Sequence, residues 1–162
     1  PNFLKAPEPL IQKNFARIMS LKDGRKKMSK SDPSDLSRIN LNDKKDQIVN
    51  KIKKAKTDQY PLPDNDKELK NRPEAENLLG IYSSLNNQSL LKTVNEFGGK
   101  NFSDFKKKLS DLLIEKITPV SLKMKEIQKD NKFIDDILKQ GAEKADKIAS
   151  KKVDEIKKII GF

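Results

Sequence analysis

Lys27 and Lys30 stand three positions apart in the string KDGRKKMSKSDPSDL, residues 22–36, with Met28 and Ser29 between them and Ser31 directly after. Lysine carries a compact positive charge on a long stem and suits a phosphate group. The hydroxyls of Ser29 and Ser31 can donate to phosphate oxygens. Gly24 permits a positive φ where the chain turns, and Asp32-Pro33 closes the segment. Together these residue types suit charge that develops during a reaction. When the α-phosphate of a nucleotide is attacked, pyrophosphate leaves and gains negative charge. Ammonium groups already in place stabilise that transition state more than the ground state. A generic lysine- and serine-rich run is more often a solvated surface loop, so the reading depends on the full string.

Other chemistries are excluded by composition. The chain has no cysteine and no histidine, which removes disulfides, thiolate nucleophiles, Cys/His metal sites and histidine general bases. The formal net charge of +11 favours polyanionic partners. Arginine occurs only at positions 17, 25, 38 and 72, so lysine supplies nearly all of that charge. Lysine-, asparagine- and isoleucine-rich usage also follows from an AT-rich genome, and both explanations stand. No apolar run approaches the ~18 residues of a membrane span, and the first residues lack the apolar stretch of a signal peptide. A chain that opens on proline reads as a piece or a processed product.

The elements that must position the loop follow from punctuation and period. Pro1, Pro7 and Pro9 make residues 1–16 extended or irregular. Residues 17–21 read as a short strand and 22–38 as a loop. A helix over 42–56 is expected, capped by Asn42-Asp43, with Ile48, Ile52 and Ala55 on one face and lysines on the other. Pro61, Pro63 and Asp64-Asn65-Asp66 make a polar connection. Pro73 suits the first turn of a helix carrying Ala75, Leu78, Leu79, Tyr82 and Leu85. Ser89 caps a short helix that ends at Gly98-Gly99. Ser103 caps a longer one with Phe105, Leu109, Leu112, Leu113 and Ile117, kinked at Pro119. A last helical pattern runs from Phe133 to Ile160, interrupted at Gly141. Amphipathic helices with short connections predict a mainly α chain, folded as an antiparallel bundle. One short strand cannot make a sheet. Residues 1–38 therefore read as the end of a nucleotide-binding α/β domain whose other strands precede Pro1, and 39–162 as a separate helical domain.

Lys27-Met28-Ser29-Lys30-Ser31 is the KMSKS signature of class I aminoacyl-tRNA synthetases. The blocks ARIMSLKDGRKKMSKSDPS (16–34), KIKKAKTD (51–58), NLLGIYSSL (77–85), EFGGKNFSDFKKKL (96–109) and GAEKADKIASKKVDEIKKIIG (141–161) are collinear with it. In these blocks the chain resembles the tryptophanyl-tRNA synthetase family, more closely than the sister tyrosyl family. The resemblance implies that Lys27 and Lys30 act on ATP phosphates as tryptophan attacks the α-phosphate. It implies that Met28, Ser29 and Ser31 complete the ATP-binding loop, and that Ile18 meets adenine through its backbone. It implies ATP with Mg2+ as a substrate complex, no tightly bound cofactor, tRNA(Trp) as partner, a homodimeric parent and a cytoplasmic setting. The helices from residue 42 onward would receive the tRNA anticodon.

Several residues keep two readings. Ile18 suits a buried strand position as well. The lysine face of 44–56, Glu143 and Lys144 fit solvated or helix-packing roles as readily as RNA contacts. Tyr82 and Phe105 could stack on bases, but their apolar stripes favour the core. No base-reading residue follows from helical periodicity. The HIGH-like first motif of the family is absent, as is its tryptophan pocket, so the resemblance describes a C-terminal half that is inactive by itself. Two other readings remain: a stand-alone helical RNA-binding module without catalysis, and a lysine-rich structural bundle. The intact KMSKS string and the isolated strand before it argue against both.

Overall fold

The computed structural model of the chain describes residues 3–11 and 15–161. Pro1, at the head of the proline-rich lead-in, lies outside them. The chain is mostly helical, with one two-stranded sheet. Strand β1 (Met19–Ser20) pairs antiparallel with β2 (Asp23–Lys27), and a 3-10 turn follows at Asp35–Ser37. Then come α1 (Lys45–Lys54), α2 (Asp66–Lys70), α3 (Pro73–Leu85), α4 (Leu90–Phe97), α5 (Phe102–Ile127) and α6 (Asn131–Ile160). Two compact units result, Pro1–Val120 and Ser121–Phe162.

The first unit is organised around α3. Pro73 opens it at the position where a missing N–H costs nothing. Ala75, Asn77, Leu78, Leu79, Gly80, Ile81 and Ser83 are all buried, so α3 is covered around most of its circumference and not on a single stripe. Around it lie Ile48 and Ile52 of α1, Leu69 of α2, Val94 and Phe97 of α4, and Phe105, Leu109 and Leu113 of α5. Phe105 is 1% exposed and lies with Tyr82 and Phe97 in one aromatic group, with centroids 4.9–5.8 Å apart. Phe105 is therefore a core residue, and Tyr82 packs against the core half-buried.

The ends of the helices show which capping residues act. The Ser89 hydroxyl accepts from Lys92 N–H, and the Asp130 carboxylate accepts from Phe133 N–H. Asn42-Asp43 does not cap α1. Its cap is Lys44, whose N–H is taken by the Gln47 side chain at 2.7 Å. Asp43 is withdrawn into an ion pair instead. Ser103 lies inside the first turn of α5, which begins at Phe102. The connection before α2 is not merely polar, because Leu62 and Pro63 are buried and Leu62 exchanges backbone bonds with Lys100 and Gly99. α5 continues through Pro119.

The second unit is the end of α5 and the whole of α6. Gly141 does not interrupt α6: the helix is 30 residues long, and a Cβ at Gly141 would meet nothing. A glycine in an exposed helix costs only about 1 kcal/mol relative to alanine, and 29 other residues outweigh it. No residue of α6 is buried. No helix among the described residues is long and apolar enough to cross a membrane.

The connection between α1 and α3 is tied by Arg72. Its guanidinium donates to both Asp58 oxygens, at 2.9 and 2.6 Å, and to Glu68 at 2.8 Å. Partial burial pushes the Asp58 carboxyl up, but Arg72 and the Tyr60 N–H outweigh it and hold the group below 3.8. A carboxylate with a depressed folded pKa stabilises the fold above its unfolded value, and that stabilisation is lost as pH falls through the folded value. Urea denaturation of the chain is therefore expected to show stability falling with acid from about pH 4 downward. Asp58→Asn should lower stability at neutral pH and flatten that acid slope; an unchanged slope would show that the Arg72 pair carries none of it.

Candidate functional site

The segment that carries the two lysines is not a bare loop. Residues 23–27 form β2, and Met19 lies opposite Lys27 across the ladder. The Met28 N–H donates to the Ile18 carbonyl at 3.0 Å, extending the pairing by one step. The strand expected over 17–21 is shorter than the sequence suggested, at two residues. Its partner is the lysine-bearing segment itself, so it does not await strands from elsewhere in order to pair.

A hairpin this short is not stable alone. Leu21, at its turn, is 2% exposed and inserts into the helical core. The Leu21 carbonyl accepts from Lys56 N–H at 2.7 Å, and its N–H donates to the Ser37 carbonyl at 2.9 Å. Gly24 meets the first turn of α3. A Cβ there would sit 2.5–2.6 Å from the Pro73 carbonyl and the Glu74 nitrogen, a distance no side chain tolerates. Gly24 is not among the residues with positive φ, so close approach is what requires glycine here, not a left-handed turn. Glu74 accepts from Lys56 Nζ at 2.9 Å. Burial pushes the Glu74 carboxyl up, but Lys56, its own N–H and that of Gly24 together hold it below the usual range. Upstream, the Phe15 ring covers Gly80 of α3, where any larger residue would collide with it.

The other end of the loop is held by α1. Arg38 donates to the Asp32 carbonyl at 2.9 Å and pairs with Asp35 at 3.4 Å. Lys51 bridges Asp35 and Asp43 at 2.7 Å each, with its own side chain 3% exposed. The hydrogen bond from Lys51 is the main reason the Asp35 carboxyl lies below its ordinary value. The sequence placed Lys51 on a solvated lysine face of α1. It is buried because it follows Ile48 by three residues and so shares that face.

Between these anchors, Ile18, Lys27 and Met28 line one cavity of about 610 Å3 together with Leu10, Ile11 and Phe15. Ile18 is 45% exposed, so it is a cavity wall and not a core residue. Ser29, Lys30 and Ser31 lie beyond the cavity on the exposed turn. There the two hydroxyls are 3.0 Å apart, and Ser29 Oγ accepts from Ser31 N–H. Among the described residues, neither Lys27 nor Lys30 is engaged in an ion pair, whereas Lys51, Arg38 and Arg72 all are. Lys27 and Lys30 on this segment are thus unpaired, while Lys51, Arg38 and Arg72 beneath it are paired. Among the described residues no group of His, Cys, Asp and Glu is arranged to hold a metal ion.

Sequence reasoning missed Asn77, Glu74, Arg38 and Lys51. Asn77 had a signal, being a lone amide next to the apolar run Leu78-Leu79. Lys51→Met would leave the buried Asp43 carboxylate with its bonds from Asn40 but no cation, and breaking such a pair costs about 3–5 kcal/mol. Lys54→Met, on the exposed side of α1, should change stability by less than about 0.5 kcal/mol. Urea denaturation of the two variants compares them directly; equal effects would show that the Lys51 network does not hold the loop base.

The sequence profile of the class I tRNA synthetases (W and Y) matches residues 1–148. A tryptophan–tRNA ligase of Agrobacterium fabrum is 54% identical over 155 residues, covering 96% of this chain and 44% of that protein. One from Caulobacter vibrioides is 47% identical over 162 residues, covering 100% and 47% respectively. One from Rickettsia felis is 50% identical over 159 residues, covering 98% and 48%. The chain thus spans about half the length of the curated relatives it matches. Among solved structures, a tryptophanyl-tRNA synthetase from Mycoplasma pneumoniae aligns with a TM-score of 0.75 at 25% identity, covering 93% of this chain and 45% of that one. A second, from Campylobacter jejuni, aligns with a TM-score of 0.61 at 25% identity, covering 99% and 48%.

Proposed function

The chain belongs to the class I tRNA synthetases (W and Y), and from that membership we propose that it supplies the pyrophosphate-stabilising loop and the tRNA-receiving helices of a tryptophan–tRNA ligase. The single observation that supports this best is the KMSKS string mounted beside a cavity that Ile18, Lys27 and Met28 share. In this reading a carboxylate oxygen of tryptophan attacks the α-phosphorus of ATP. The bond from that phosphorus to the bridging oxygen breaks, and pyrophosphate leaves with the negative charge. The ammonium groups of Lys27 and Lys30 meet that charge as it develops, and the hydroxyls of Ser29 and Ser31 add hydrogen bonds. Ile18 offers its backbone to adenine, and Mg2+ arrives with the nucleotide. The tryptophanyl group then passes to tRNA(Trp).

The division of labour follows the chain. Residues 1–38 form the edge of the catalytic domain, and 39–162 form the helical domain, an antiparallel bundle that receives the anticodon. The parent enzyme is a cytoplasmic homodimer. The chain by itself has no tryptophan pocket and no first class I motif, so it does not activate tryptophan; one charged loop cannot supply the positioning that the reaction needs.

The test joins this chain to the amino-terminal half of a full-length ligase and measures tryptophan-dependent ATP–pyrophosphate exchange. The joined protein should exchange, and the isolated chain should not. Lys27→Ala and Lys30→Ala should each lower kcat by about 100–1,000-fold, the loss seen when one transition-state donor is removed, with the KM for tryptophan unchanged. Exchange by the isolated chain, or indifference to both substitutions, would overturn the assignment.

A further inference from the structure

Lys27 takes its position from the residue opposite. Met19 is its partner across the ladder, and both backbone groups of Met19 are held by one side chain of α3. The Asn77 Oδ1 accepts from Met19 N–H at 2.8 Å, and the Asn77 Nδ2 donates to the Met19 carbonyl at 2.8 Å. A carboxamide is the side chain that reproduces the donor and acceptor of a peptide group. Asn77 therefore acts as a one-residue third strand on the open edge of β1. It is 2% exposed, so its amide is shielded from water and its two bonds are strengthened by the low local dielectric. Aspartate in its place would keep the acceptor but turn a second oxygen toward the Met19 carbonyl. Leucine would fill the volume and leave both Met19 groups without partners.

Asn77 holds both backbone groups of Met19, and the adjacent Ile18 carbonyl accepts from Met28 N–H at 3.0 Å, so the tie from α3 reaches the Lys27–Met28 step through one residue of chain. Packing alone does not fix that register. Leu21 buries its side chain on the turn, and Gly24 lets the turn approach Pro73, but both lie at the far end of the hairpin. Asn77 acts at the end where the lysine leaves the sheet. We infer that Asn77 is a positioning residue for Lys27, setting where its ammonium group stands relative to the nucleotide phosphates. The inference rests on the ligase reading given above.

The experiment uses the full-length joined ligase and a double-substitution cycle. Asn77→Ala should lower kcat for ATP–pyrophosphate exchange by roughly 10–100-fold, the cost of about 1 Å of misplacement, with the KM for tryptophan unchanged. Asn77→Asp, which retains one of the two bonds and the side-chain shape, should fall between and covers the case in which the alanine variant does not fold. The decisive reading is coupling. In a Lys27→Ala background the Asn77 substitution should lower kcat by less than about threefold, because its effect passes through that ammonium. Leu109→Ala, a buried core change on α5 and not on α3, serves as a control that lowers the melting temperature without such coupling. If Asn77 and Lys27 substitutions multiply independently, or if Asn77→Asp lowers only the melting temperature, Asn77 is a packing residue and the inference is wrong. If the unsubstituted protein shows no exchange, the ligase reading itself fails, which is a different result.

Discussion

The contact between Gly24 and the first turn of α3 is the constraint on which the rest depends. Two strands of two and five residues have too few hydrogen bonds to hold their own shape. Their place must come from the helical body. At Gly24 the hairpin backbone touches the backbone of Pro73 and Glu74, with no side chain between them. That contact aligns three further interactions: Leu21 enters the core, Lys56 closes onto the Leu21 carbonyl, and Asn77 reaches Met19. A methyl group at Gly24 would lift the hairpin from α3 and disturb all three together. Contacts at the base of the loop join residues on both sides of position 38. The first 120 residues form a single compact unit.

Charge is distributed unequally over this frame. Beneath the loop, Lys51, Arg38, Lys56 and Arg72 are each matched by carboxylates. On the loop, Lys27 and Lys30 face the cavity side and the exposed turn with no carboxylate paired to them among the described residues. Lys51 is buried, and a buried cation without a partner is costly, so its pairing is a condition of folding. An exposed ammonium group carries no such penalty and keeps its charge for an incoming anion. The net charge of +11 says little about this distinction, since it counts both sets alike.

How much of this the residues announced varies by element. α3 and α4 were legible because their punctuation is strong: Pro73 at the first turn, Ser89 as cap, Gly98 at the end. The start of α1 was not, because Asp43 looks like a cap and is instead drawn away by Lys51. β2 was read as loop because DGRKK has almost no strand preference. Pairing with β1 and docking on α3 override propensity there. Gly24 was recognised as necessary for the wrong reason, since a sequence cannot distinguish a left-handed turn from a backbone contact. The KMSKS string was legible, but what holds it in place was not. Asn77, Glu74 and Lys51 act across 58, 50 and 16 positions of chain respectively on Met19, Gly24 and Asp35. No local pattern encodes such pairings. The apolar period of α6 was also plain, yet none of its residues is buried; periodicity marks a face and does not say what covers it.

The two lysines differ in a way their shared motif conceals. Lys27 is the last residue of β2, with its backbone in a ladder that Asn77 secures from the opposite strand. Lys30 stands on a turn whose bonds are local: Ser29 to Ser31, and Asp32 N–H to the Ser29 carbonyl at a long 3.4 Å. Electrostatic stabilisation is most effective when the charge is in place before it is needed, because no reorganisation then accompanies the reaction. In the proposed ligase reading, Lys27 meets that condition through the fold. Lys30 must meet it through the loop, whose ends are fixed by Arg38 on one side and the hairpin on the other while its apex makes few bonds. With a rigid base and a lightly bonded apex, the three-residue spacing joins a group fixed by the sheet to one held only by local turn bonds.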